Sequence, residues 1–154
     1  MRKRTRRKHY TLVNCVAHAI EGARITESHL LNELRLRELA AIESFRTGKA
    51  TLQDWHDLAA LLNVCETMAE AGIGPEALQA CQDAETALMA AAKRFESTGK
   101  MGLTGLGLIA VRDVYGYHDL QRQSVSRAEY ERQIARCANR IKSKAPGVRD
   151  MSEV

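Results

Sequence analysis

Six basic side chains, Arg2, Lys3, Arg4, Arg6, Arg7 and Lys8, stand within the first eight positions, with no acidic residue among them. Such a block acts through charge. Each Lys or Arg that neutralises a phosphate releases counterions, so the segment suits nucleic acid and its binding should weaken with salt. Near the other end, Arg132, Arg136 and Arg140 recur at every fourth position, with Lys144 continuing the row. Tyr130, Ile134, Cys137 and Ile141 form the opposite, apolar stripe. A helix of this kind packs by one face and offers guanidinium groups by the other. These arginines are expected to extend the surface begun by the N-terminal block.

A second set is acidic. Residues 50–92 hold seven acids and no Lys or Arg. Asp54, Asp57, Glu66 and Glu70 are expected on one exposed helix flank, where they would meet a basic protein surface.

A third chemistry is acid–base. Asp113 and His118 fall within a broad apolar arc formed by Ile109, Val114, Tyr117 and Leu120. Glu38 falls among Leu31, Leu34, Ile42 and Phe45, with Arg35 one turn back. A buried His beside a carboxylate can transfer protons. No nucleophile or second carboxylate pair accompanies either set, so satisfied polar networks that fix helix register are expected and no enzyme activity is assigned. Should the chain be an enzyme after all, His118 and Asp113 would carry it.

Metal and nucleotide sites are not expected. Cys15 and His18 are three apart, but a zinc site needs two further ligands and no spacing supplies them. Gly105-Leu106-Gly107-Leu108-Ile109-Ala110 matches a dinucleotide fingerprint in its letters, yet Lys93–Thr104 reads as a helix end plus loop rather than the strand that the fingerprint must follow. Gly99-Lys100 is followed by Met101, which excludes a phosphate-binding loop. No cofactor is expected.

The elements that must position these groups are helices. The hydrophobic fraction is 45% but aromatics only 5%, and the balance is largely Ala and Leu, which favour helix over strand. Helices are predicted over about 12–23, over Ser28–Arg46, from Thr51 as N-cap to near Gly72, from Pro75 to Thr98-Gly99, over 106–122, and from a Ser126/Glu129 capping box to about Lys144. The helix over 106–122, the turn at Ser124-Val125-Ser126 and the helix after it could make a helix-turn-helix, although the glycine usual in that turn is missing. The fold class expected is all-α: a single-domain bundle of five or six antiparallel helices over 11–146, with a basic flexible arm over 1–10 and a flexible tail over 147–154. Cys15, Cys65, Cys81 and Cys137 form no CxxC pair and read as reduced, buried thiols of a cytoplasmic protein. No apolar run approaches the ~20 residues of a membrane span. A homo-oligomer is compatible with the charge pattern, since arm and acidic segment could pair between copies.

Four stretches carry a resemblance: Met1-Arg2-Lys3-Arg4-Thr5-Arg6-Arg7-Lys8, Leu34-Arg35-Leu36-Arg37-Glu38-Leu39-Ala40-Ala41-Ile42-Glu43, Gly72-Ile73-Gly74-Pro75-Glu76-Ala77-Leu78 and Arg140-Ile141-Lys142-Ser143-Lys144-Ala145-Pro146. Together the chain resembles small basic-tailed helical proteins encoded by proteobacterial phages and mobile elements. The resemblance implies a bacterial cytoplasm and a role in phage gene control or in blocking a host defence. It assigns no residue a chemical task. Two partners follow: nucleic acid or a host nucleoprotein complex, or, for an anti-CRISPR-like inhibitor, a basic host protein surface met by Asp54, Asp57, Glu66 and Glu70.

Overall fold

In the computed structural model, residues 28–143 are described, and they form five α-helices: α1 (Ser28–Arg46), α2 (Leu52–Glu70), α3 (Leu78–Thr98), α4 (Gly105–Ser124) and α5 (Arg127–Lys142). The helix predicted over 12–23, the basic arm, Lys144 and the tail over 147–154 lie outside the described residues.

Local chemistry sets most boundaries. Thr51 opens α2 with a reciprocal cap: its side chain accepts from the Asp54 amide, and the Asp54 carboxylate accepts from the Thr51 amide at 2.7 Å. Past the end of α2 the chain turns through Gly72 and Gly74, with φ of 88° and 64°, conformations that L side chains adopt rarely. Pro75 then begins a short 3-10 turn, Pro75–Ala77, that leads into α3. Thr104 caps α4 by accepting from the Gly107 amide at 3.0 Å. Only half of the box predicted for α5 forms. Ser126 accepts from the Glu129 amide, but the Glu129 carboxylate turns to Arg132 and Gln133 instead of closing the ring.

α2 is the centre of the bundle and touches all four other helices. Its stripe of Trp55, Leu58, Leu62, Cys65 and Ala69 is buried, as its spacing predicts, with Leu61 and Met68 beside it. The Trp55 indole donates to the Leu88 carbonyl of α3 at 2.9 Å, which satisfies its one polar atom inside the core. α3 and α4 pack through small residues: a Cβ on Gly107 would lie 3.0 Å from the Ala87 Cβ. α5 rests chiefly on α2, with Tyr130 beside the level of Leu61 and Val64 and Arg140 at Thr67 and Glu70.

Two sequence readings change here. The apolar arc expected on the helix over 106–122 is not the buried face of α4. Val111, Val114, His118, Gln121 and Arg122 point inward, while Ile109, Asp113 and Leu120 are exposed. The expected helix-turn-helix is also not assembled as a unit, because α4 packs chiefly on α3 and α2 and α5 on α2, while α4 and α5 touch each other little beyond the His118–Tyr130 contact. Cys65, Cys81 and Cys137 are buried free thiols, and Cys15 lies outside the described residues. Among the described residues, no helix is long and apolar enough to cross a membrane.

Candidate nucleic-acid interface

α5 buries Tyr130, Gln133 and Cys137 and turns the other side to solvent. Arg132, Arg136, Asn139 and Lys142 are exposed, with small Ala135 and Ala138 between them, so little bulk stands in front of the charges. Arg132 is held along the helix by Glu129, and Arg127 by Glu131 at 2.9 Å. Arg136 makes no hydrogen bond or ion pair among the described residues. Its guanidinium is free to meet a phosphate.

Arg140 is placed differently. Eight residues beyond Arg132, it has rotated by about 80° round the helix axis, onto the flank facing α2. There it donates to Thr67 Oγ1 at 3.0 Å and pairs with Glu70 at 2.7 Å, with only 16% of its side chain exposed. It ties α5 to α2 and is removed from the proposed phosphate surface. Arg2, Lys3, Arg4, Arg6, Arg7 and Lys8 lie outside the described residues.

The acidic set does not share one flank. Asp57 and Glu66 are nine residues apart, which is about half a rotation of a helix. Asp54 is spent on the Thr51 cap, and Asp57 accepts from Arg37 of α1 at 2.6 Å. Glu66 is half-buried, and burial lifts its pKa above the usual carboxylate range. Glu70 faces the other way and holds Arg140. The charges of Asp57 and Glu70 serve the contacts of α2 with α1 and α5.

The candidate acid–base groups form a buried network rather than a reactive pair. Arg122 is fully buried, and its two Nη atoms each donate to Glu38 across the α1–α4 contact at 2.8 Å. Arg35 grips Asp119 through Nε at 2.7 Å and Nη2 at 3.1 Å. Burial raises the Glu38 pKa, and the Arg122 bonds draw it back only in part. Burial also works against the Arg122 charge, but the Glu38 bonds outweigh it and keep the guanidinium protonated. Burial pushes the Asp119 pKa up, but the Arg35 bond together with the charges of Arg35 and Arg122 outweighs it and leaves the pKa below its usual value.

His118 lies one turn away. Gln121 donates its amide to the carbonyls of Cys65 and Ile73, at 3.2 and 2.8 Å, and this turns its oxygen toward His118 Nδ1 at 2.9 Å. That geometry assigns the ring proton to Nδ1 and leaves Nε2 to accept from the Tyr130 hydroxyl at 3.2 Å. Burial holds the His118 pKa down at about 4, so the ring is neutral at ordinary pH. Asp113 is exposed on the far side of the helix and takes no part. A cleft of about 180 Å³ lined by Leu34, Leu61, Val64 and Ile134 reaches this network, but Arg37, Asp57, Glu38, His118 and Tyr130 at its wall are already partnered.

Sequence reading missed Arg122 and Asp119. A signal existed for the first: Arg122 is eleven residues from Val111, within about 20° of it round the helix, so it belongs to the buried row. No group of three or more metal-ligating side chains assembles among the described residues. Gly105–Ala110 forms the first turns of α4 after the loop from Gly99, without the preceding strand that a dinucleotide fingerprint requires.

Compared with protein-family models, curated proteins and solved structures, the chain has no significant match in any of the three.

Proposed function

We propose that this protein binds nucleic acid, alone or within a nucleoprotein complex, and performs no chemistry on it. The observation that carries this reading is the solvent face of α5. There Arg132, Arg136 and Lys142 stand exposed around small side chains. The segment Arg2–Lys8 adds six positive charges and no negative one. Such a surface meets phosphates without reading bases, so affinity is electrostatic and sequence preference is weak. In the phage or mobile-element setting that the sequence resembles, the role is regulatory. The buried network supports a non-enzymatic reading, since His118 and Glu38 are committed to holding helices together and Asp113 stands apart from them.

The alternative, an anti-defence protein using Asp54, Asp57, Glu66 and Glu70, draws less support because Asp54, Asp57 and Glu70 are engaged within the chain.

The test is retention of duplex DNA and single-stranded RNA by the full chain at low salt. Arg136→Glu with Arg132→Glu should lower affinity at least ~tenfold. Each phosphate that the variant no longer neutralises should reduce the salt slope on duplex DNA by about 0.9. Equal retention by the native chain and this variant would remove α5 from the interface.

A further inference from the structure

α4 carries a second seam that no described element covers. Leu106, Ile109, Asp113, Gly116 and Leu120 follow one another at intervals of three, four, three and four residues. That is the spacing by which one helix meets another along a shared edge. All five are exposed, Leu106 by 82%, Ile109 by 54% and Leu120 by 65%. Gly116 has open space where a Cβ would stand, so no neighbour within the described chain calls for glycine in mid-helix, where glycine is unfavourable. Beside the seam a groove of about 510 Å³ runs between α3 and α4, floored by Ala87, Ala90, Gly107 and Ala110.

We propose that this seam joins two copies of the chain, packed antiparallel, α4 against α4. In that arrangement Ile109 of each copy meets Leu120 of the other, and Asp113 meets Gly116. The seam is then complementary to itself. Bulky side chains fall on each other, and the one charged position faces the one position without a side chain, which leaves its carboxylate a path to water. A parallel pairing would set Asp113 on Asp113, a like-charge contact at the seam.

Charge on the flank agrees with the antiparallel choice. Arg112 comes opposite Asp119 of the second copy. Arg112 makes no hydrogen bond or ion pair among the described residues, although its charge reaches Glu43, and the Asp119 side chain, which already accepts from Arg35, Arg122 and Gln123, keeps 20% of its surface exposed. Tyr117 and Leu120 of the second copy come over the α3–α4 groove, whose small residues admit them. The interface extends over some four helical turns, roughly 20 Å, which places the dimer among weak, micromolar associations. This inference stands apart from the nucleic-acid reading, since α5 takes no part in it.

The full chain, weighed by sedimentation equilibrium across the micromolar range, should rise from the mass of one copy, 17.1 kDa, toward that of two. Ile109→Asp and Leu120→Asp should each weaken association at least ~tenfold with helicity unchanged by circular dichroism. Asp113→Leu, which removes the charge from the seam, should strengthen it by about as much. On mild oxidation, chains with Ile109→Cys mixed with chains with Leu120→Cys should give a covalent mixed dimer. Ile109→Cys alone should give none beyond that of the native chain. The proposal is overturned by a one-copy mass at every concentration, by a dimer indifferent to both aspartate variants, or by a covalent dimer from Ile109→Cys alone.

Discussion

His118 shows how a single side chain links packing to acidity. Its ring is committed to Gln121 and Tyr130 in a site that burial keeps neutral down to about pH 4, against an ordinary value of 6.5. Between those two values the unfolded chain binds a proton that the folded chain does not. The His118 contribution to stability is therefore fully present above 6.5 and is lost as pH falls toward 4. Its size is about 3 kcal/mol, since each pKa unit is worth about 1.4 kcal/mol. Glu38, whose pKa burial raises, takes up its proton early in the folded chain and so offsets part of the loss. Urea unfolding midpoints across this range should fall with acidity in the native chain and fall much less in His118→Gln, which can keep a bond to Tyr130. Equal pH slopes in the two would contradict the account. Arg122 gives a second test at this scale. Arg122→Leu strands the Glu38 carboxylate in the core and should cost about 3–5 kcal/mol, and adding Glu38→Leu should restore most of it.

At the scale of elements, α4 is where sequence and structure part. Its inward row carries a histidine, a glutamine and an arginine, and its outward row carries Leu106, Ile109 and Leu120. Hydrophobicity alone therefore points to an arc between the two true faces, because it has no means of seeing that Glu38, Gln121 and Tyr130 supply partners for His118 and for the Nη atoms of Arg122. α2 is the reverse case. Thr51, Asp54, the apolar stripe and the Gly72–Pro75 break are local signals, and local forces decided them. The row on α5 was half legible: the four-residue spacing is real, but a helix turns by slightly more than a full circle in four residues, and by Arg140 the row has reached the α2 flank. The two glycines of α4 should answer substitution with opposite signs. Gly107→Ala presses a methyl group against Ala87 and should destabilise by about 1–3 kcal/mol. Gly116→Ala meets open space within its own chain and should stabilise a single copy, below the concentrations at which two copies join, by up to ~1 kcal/mol. Thermal or urea unfolding of both variants beside the native chain decides it.

For the whole molecule, charge is sorted more than it is accumulated. The net charge is only +4, yet six of the 23 basic residues lie within residues 2–8, and residues 50–92 contain none. Much of the acidity of α2 is absorbed by its neighbours, Asp57 by Arg37 of α1 and Glu70 by Arg140 of α5. The sequence made the separation of charge plain but not its internal use, because pairing across helices depends on which helix lies beside which. That order follows from packing on α2, not from any short motif. What is left facing outward on α5 is basic on balance, since Glu131 and Glu129 are paired with Arg127 and Arg132 while Arg136 and Lys142 have no such partner, and it is this remainder, with Arg2–Lys8, that the proposed function rests on. The most direct measurement is the salt dependence of nucleic-acid binding by the full chain, compared with a chain lacking residues 2–8 and with the Arg132→Glu, Arg136→Glu variant. The account predicts measurable binding at low salt, a steep loss as salt rises, and a flatter slope with weaker binding in both altered chains. No retention of DNA or RNA by the native chain at low salt, or slopes unchanged by either alteration, would contradict it.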